Sequence, residues 1–233
     1  MILSASALGV VSIFNGCRDV VFNNPLDPDA SRANLTIQRV FATSLSGPGD
    51  ICFDGEKIWK TESGGRTTAF DMESGTIIRS FQLDPATGPG FLDRLLYLSG
   101  EDNQVRVYDP LSGALINRIS TSEVYPRLLA ARETDLLLFD SRSENLFSLN
   151  PETLELRRLF QLSGLVTGGM EWFEGSLLIT DSASDTLFRL TAEGDVMDVY
   201  RSPLAGVTGI CKDDRGYIYL MGLDGQVAKV TLP

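Results

Sequence analysis

The residues of this chain best placed to do chemistry are Asp50, Arg127, Thr167, Glu171 and Thr208, and an absence limits what they can do. Its 233 residues include no histidine, which removes the commonest general base, the commonest zinc ligand and every Ser-His or Cys-His nucleophile. Proton transfer would fall to the carboxylates Asp50 and Glu171. Anion binding would fall to Arg127, whose planar guanidinium can hold a carboxylate or phosphate through paired hydrogen bonds, with the Thr167 and Thr208 hydroxyls as further donors. The cysteines, Cys17, Cys52 and Cys211, are too widely spaced for a zinc knuckle. No metal site and no cofactor is expected; Ca²⁺ enters only if a carboxylate at the axis of the fold serves an enzyme.

Arg127 draws attention through its register. Gly49, Gly88, Gly168 and Gly209 recur about 40 residues apart, and Arg127 fills the third place in that series. Pro126 precedes it where Thr87, Thr167 and Thr208 precede the glycines, and Pro48 repeats the exchange. Glycine suits a place where strands converge, so a guanidinium there requires an anionic ligand, a pairing with Asp50, or solvent.

The elements that must position these residues are repeated strands. Phe70, Tyr108, Leu149, Leu190 and Val230 each close a short strand, spaced 38, 41, 41 and 40 apart. Each of the first four is followed by a turn: Asp71-Met72-Glu73-Ser74-Gly75, Asp109-Pro110-Leu111-Ser112-Gly113, Asn150-Pro151-Glu152-Thr153 or Thr191-Ala192-Glu193-Gly194. An apolar strand running into an acid-Ser pair also recurs, at Ile58–Ser63, Leu136–Ser141 and Leu177–Ser182. Such a period predicts an all-β, five-bladed β-propeller of four-stranded antiparallel blades over residues 34–233, with a six-bladed ring as the alternative. The last unit ends at Val230-Thr231-Leu232-Pro233 without an outer strand, while Thr36–Phe41 stands alone before the first. The N-terminal strand is therefore expected to complete the last blade and close the ring. Arg79, Arg118 and Arg158 are placed at matching points of the outer strands. Cys52 and Cys211 would then lie on adjoining inner strands, as buried thiols or as a disulfide.

Residues 1–16 form a signal-like segment: Ile2–Phe14 is uncharged and apolar but too short to span a membrane. Gly16-Cys17 resembles the cleavage site of bacterial lipoproteins, which implies lipidation of Cys17. A buried strand or helix is the alternative for residues 2–14. Residues 17–33, with Asn23-Asn24-Pro25-Leu26-Asp27-Pro28, read as a tether. Acidic residues outnumber basic ones by 31 to 20, giving a net charge of −11 with no basic stretch, which argues against a nucleic-acid partner.

Gly49-Asp50-Ile51-Cys52-Phe53-Asp54-Gly55-Glu56-Lys57-Ile58-Trp59, followed by Glu62-Ser63-Gly64-Gly65 and Phe70–Gly75, resembles a blade of the bacterial propellers of the NHL, YVTN and glutamine-cyclotransferase-like group. The resemblance covers residues 34–233 and rests on turns and core strands, so it implies a fold more than an activity. That group includes lactonases with an axial metal, glutaminyl cyclotransferases, a histidine-dependent lyase whose chemistry this chain cannot perform, and proteins that only bind. The expectation is an extracytoplasmic binding module, membrane-anchored through lipid or else periplasmic or secreted, monomeric, for a protein, peptide or glycan. A carboxylate- or Ca²⁺-dependent hydrolase, or a cyclotransferase, is the alternative.

Overall fold

The structure, a computed structural model, describes residues 33–45, 47–100 and 102–233. Cys17, the signal-like segment and most of the tether lie outside the described residues.

The chain is an all-β propeller of five blades, each a meander of four antiparallel strands. Two strands precede the first full blade, β1 (Ala33–Asn34) and β2 (Thr36–Ala42). Blade 1 holds β3 (Asp50–Phe53), β4 (Ile58–Thr61), β5 (Arg66–Phe70) and β6 (Ile77–Gln82). Blade 2 holds β7 (Gly88–Leu92), β8 (Leu95–Ser99), β9 (Gln104–Tyr108) and β10 (Leu115–Ser120). Blade 3 holds β11 (Pro126–Arg132), β12 (Asp135–Asp140), β13 (Asn145–Leu149) and β14 (Leu156–Gln161). Blade 4 holds β15 (Thr167–Phe173), β16 (Ser176–Asp181), β17 (Thr186–Leu190) and β18 (Val196–Arg201). Blade 5 has β19 (Val207–Lys212), β20 (Ile218–Gly222) and β21 (Gln226–Thr231), and β2 pairs with β21 as its fourth strand. The expected closure is thus observed. Strand β1, which the repeat does not foretell, adds in parallel to the outer edge of β18, making blade 4 five-stranded.

Second strands are buried on both faces, which explains their continuous apolar runs. In β12, Leu136 and Leu138 pack toward blade 2 while Leu137 and Phe139 pack toward blade 4. Period-two geometry thereby feeds one strand into two of the five layers between blades. Truncating such a residue, as in Leu138→Ala, costs about 2–5 kcal/mol by transfer and cavity effects.

The outer joints follow a paired rule. Phe41, Phe81 and Phe160 each press a ring against a turn glycine of the next blade, Gly75, Gly113 and Gly194, where a Cβ would meet the ring. Between blades 2 and 3 both partners change together. The aligned residue is Ile119, and the turn carries Leu154 at φ 61 with its side chain exposed. Between blades 4 and 5, Leu35 and Leu232 pack with Tyr200.

Two sequence expectations are refined. Arg39 and Arg79 occupy equivalent ladder positions, Arg39 opposite Lys229 and Arg79 opposite Ala69, but the residue equivalent to them in blade 2 is Asn117; Arg118 sits one place on, bonded to Asp84 at 2.8 Å. Cys52 and Cys211 are free and buried. They face different layers, Cys52 against Trp59 and Leu96, Cys211 against Ile51 and Tyr219.

Candidate functional site

The inner strands β3, β7, β11, β15 and β19 pack in sequence around an axis, β19 closing on β3. At the end where these strands begin, a cavity of about 300 Å³ is bordered by Arg127, Asp50, Thr167 and Thr208. Four of the five candidate residues are therefore brought together. Glu171 is not among them; it lines a second cavity, of about 310 Å³, at the other end of the inner strands.

The first cavity, the mouth, is built by close backbone contact. A Cβ on Gly88 would lie 2.5 Å from the Arg127 carbonyl oxygen, one on Gly169 would lie 2.6 Å from Asp50 Oδ1, and one on Gly168 would run into the Val207 carbonyl. Glycine is thus demanded by neighbouring inner strands, as the register implied. In blades 3, 4 and 5 the innermost strand pair is bulged at this end, with Arg127 the extra residue between Pro126 and Leu128. A bulge bends its strand and re-aims a side chain, here at the channel mouth.

The Arg127 backbone is fixed from blade 2. Thr87 Oγ1 donates to its carbonyl oxygen at 2.8 Å and Ser99 Oγ donates to the same oxygen at 2.9 Å. Arg127 is half-buried as a residue, and its guanidinium has, among the described residues, no hydrogen bond or ion pair. The pairing with Asp50 offered as one account of Arg127 is absent. Asp50 is instead turned toward the protein: Oδ1 accepts from the Ile51 amide at 2.8 Å and the Ile210 amide at 3.2 Å, and Oδ2 is buried without a partner. Burial, added to by the Glu171 charge, holds its acid well above the usual carboxylate range, against the pull of those amides. The carboxyl therefore opposes an incoming anion far less than an ionised one would.

Four further mouth groups escaped sequence reasoning. Ser63, Thr87 and Ser182 add hydroxyls to the lining. Lys60, fully buried, lies behind Gly49 and donates to the Gly47 carbonyl at 3.0 Å; burial lowers its pKa. A charged residue where blades 3 and 4 have Leu138 and Ile179 was the available signal.

At the lower end, Glu171 on β15 is nine-tenths buried, and burial pushes its pKa up to about 8 although the Lys212 charge pulls it down. Among the described residues no three His, Cys, Asp or Glu side chains gather as a metal would require. A single Asp50 with one free oxygen is a poor set for Ca²⁺, which takes six to eight oxygens.

No protein-family model and no curated protein matches the sequence. In structure the chain is similar to BamB from Moraxella catarrhalis at 17% identity and a TM-score of 0.48, over 82% of this chain and 60% of that one. It is also similar to a glutaminyl cyclase from Myxococcus xanthus at 15% identity and a TM-score of 0.73, over 86% of this chain and 97% of that one. At that identity the likeness to the cyclase is one of fold, the β-propeller.

Proposed function

We propose that this chain is an extracytoplasmic binding propeller whose channel mouth holds the carboxylate or phosphate of a protein, peptide or glycan ligand. The observation that carries the reading is Arg127: the one inner-ring position that departs from glycine holds a half-buried arginine whose guanidinium has no ionic partner among the described residues, on a backbone held by two hydroxyls. A cation partly withdrawn from water gains from an anion that meets it. Thr167, Thr208 and Ser63 surround it with hydroxyls, and Lys60 adds positive charge behind the wall. Export and lipidation at Cys17 belong to the same proposal and rest on the apolar run, Gly16-Cys17 and the Pro-rich tether.

The test is a binding screen of peptides with free carboxylates and of glycans bearing carboxylate or phosphate groups, run on wild type and Arg127→Ala. Hits should lose about a hundredfold in affinity in the variant, with the melting temperature nearly unchanged. Undiminished binding by Arg127→Ala rejects the reading. For the anchor, wild-type protein should partition with membranes and Cys17→Ser should not.

The partnerless Asp50 Oδ2 supports a second reading, a carboxylate hydrolase or cyclotransferase acting at the mouth. Lactones and N-terminal glutaminyl peptides are the substrates to assay. Turnover lost in Asp50→Asn would favour it, and no turnover by wild type rejects it.

A further inference from the structure

The second cavity joins features that the mouth does not use. All five inner strands or their turns line it, and the partly buried rings of Phe53 and Phe91 are among the lining. Two opposite charges stand there on neighbouring strands: Glu171 on β15 and Lys212 at the end of β19. Among the described residues they form no ion pair with each other; the Glu171 carboxylate accepts from the Trp172 and Lys212 backbone amides, and the Lys212 ammonium has no hydrogen-bond or ion-pair partner. The other acids are accounted for differently. Asp54 accepts from the Trp59 indole at 2.7 Å and from the Glu56 and Lys57 amides, and Asp214 lies exposed.

We infer that this lower cavity is a separate ligand site for a small zwitterion of the α-amino-acid kind, its ammonium on Glu171, its carboxylate on Lys212 and an apolar side chain against Phe53 and Phe91. A carboxylate alone would leave Glu171 facing an anion, and an amine alone would leave Lys212 unmatched. A ligand with both charges and an apolar body meets both charged groups and the two rings, in a volume at the lower limit of small-molecule sites.

Proton balance gives the site a signature. Burial raises the Glu171 carboxyl to about 8 against the pull of the Lys212 charge and of the Trp172 and Lys212 amides, and Asp50 lies near enough to feel its charge, so it holds a proton in the empty site at neutral pH. An incoming ammonium favours the carboxylate. The proton leaves Glu171 for the buffer, while the ammonium keeps its own.

L-leucine is the probe, titrated calorimetrically into the full chain near pH 7 in two buffers of different ionisation heat. We expect saturable binding with proton release, and at least about tenfold weaker binding of 4-methylpentanoate and of 3-methylbutylamine, each lacking one charge. Lys212→Gln should weaken leucine about tenfold and leave the amine unchanged. Glu171→Gln should weaken both leucine and the amine and abolish the buffer dependence. Arg127→Ala should bind leucine as wild type does, which separates this site from the reading of the mouth. Absence of leucine binding at millimolar concentration overturns the proposal, as does equal binding of all three probes to wild-type protein. If a variant melts early, the three-probe comparison on wild type decides alone.

Discussion

The two ends of the channel are built by opposite means. At the mouth, backbone meets backbone: glycines leave no room for a Cβ, bulges turn the strands, and hydroxyls tie down the carbonyl of Arg127. At the lower end, side chains from separate strands enclose the space and the turn glycines Gly55, Gly175 and Gly216 have nothing near a would-be Cβ. The mouth presents one cation at a fixed point. The lower end presents two charges on side chains, one of which changes protonation near neutral pH. Rigidity suits the recognition of a group on a large ligand, whereas a buried titratable carboxyl suits a small ligand that brings its own charge.

Four expected outcomes test that contrast. The largest concerns what both ends share, a closed ring. Deleting residues 34–43 removes β2 and leaves β21 with an unpaired edge, so the product should aggregate in sizing chromatography. A monomer with an unchanged melting temperature would disprove the closure. Next comes crowding: Gly168→Ala should destabilise by about 3 kcal/mol through forced backbone movement, whereas Gly55→Ala should cost only about 1 kcal/mol from its left-handed φ of 96. Equal losses in thermal melts would erase the distinction between the ends.

The third outcome is pH dependence. Glu171 sits at about 8 in the folded chain against an ordinary 4.5, so on raising the pH the unfolded chain gives up this proton first. Stability present in full below pH 4.5 should fall progressively until pH 8, by a few kcal/mol in order of magnitude, and Asp50 acts in the same direction. Melting temperatures of Glu171→Gln across that range should form a flatter curve than wild type. The smallest is Ser99→Ala, which releases one of two hydroxyls holding the Arg127 carbonyl. It should weaken anion binding at the mouth by about 1 kcal/mol while leaving leucine binding intact.

How far the sequence discloses each end follows from the same contrast. The blade count, the closing strand and the gathering of Arg127, Asp50, Thr167 and Thr208 were legible because each depends on a repeated position, and a repeat makes an exception such as Arg127 visible. Glu171 was legible as a carboxylate on an inner strand but not as part of a different cavity, since nothing in the spacing says how far along the axis it lies. Lys212 was missed because β11 also ends on a charged residue, Arg132, so that a charge at the end of an inner strand does not stand out. The shift of Arg118 was hidden by bulges, which alter register without altering the spacing of the text. Strand β1 was missed because two residues show no periodicity at all.

The seam at blade 5 also has a chronology. Thr43 and Gly225 are joined across the seam yet lie 182 residues apart in the chain, so the first strand made has to wait for the last. Blades 1 to 4 are meanders of neighbouring strands and can assemble as synthesis proceeds, but the sealing contact carries the full entropy cost of a loop nearly as long as the fold. Until residues 226–231 emerge, the apolar residues of β2 have no partner strand and the layer between blades 5 and 1 stays open. The incomplete chain is therefore the species most exposed to wrong association, and one late event, the docking of β2, converts it to a ring.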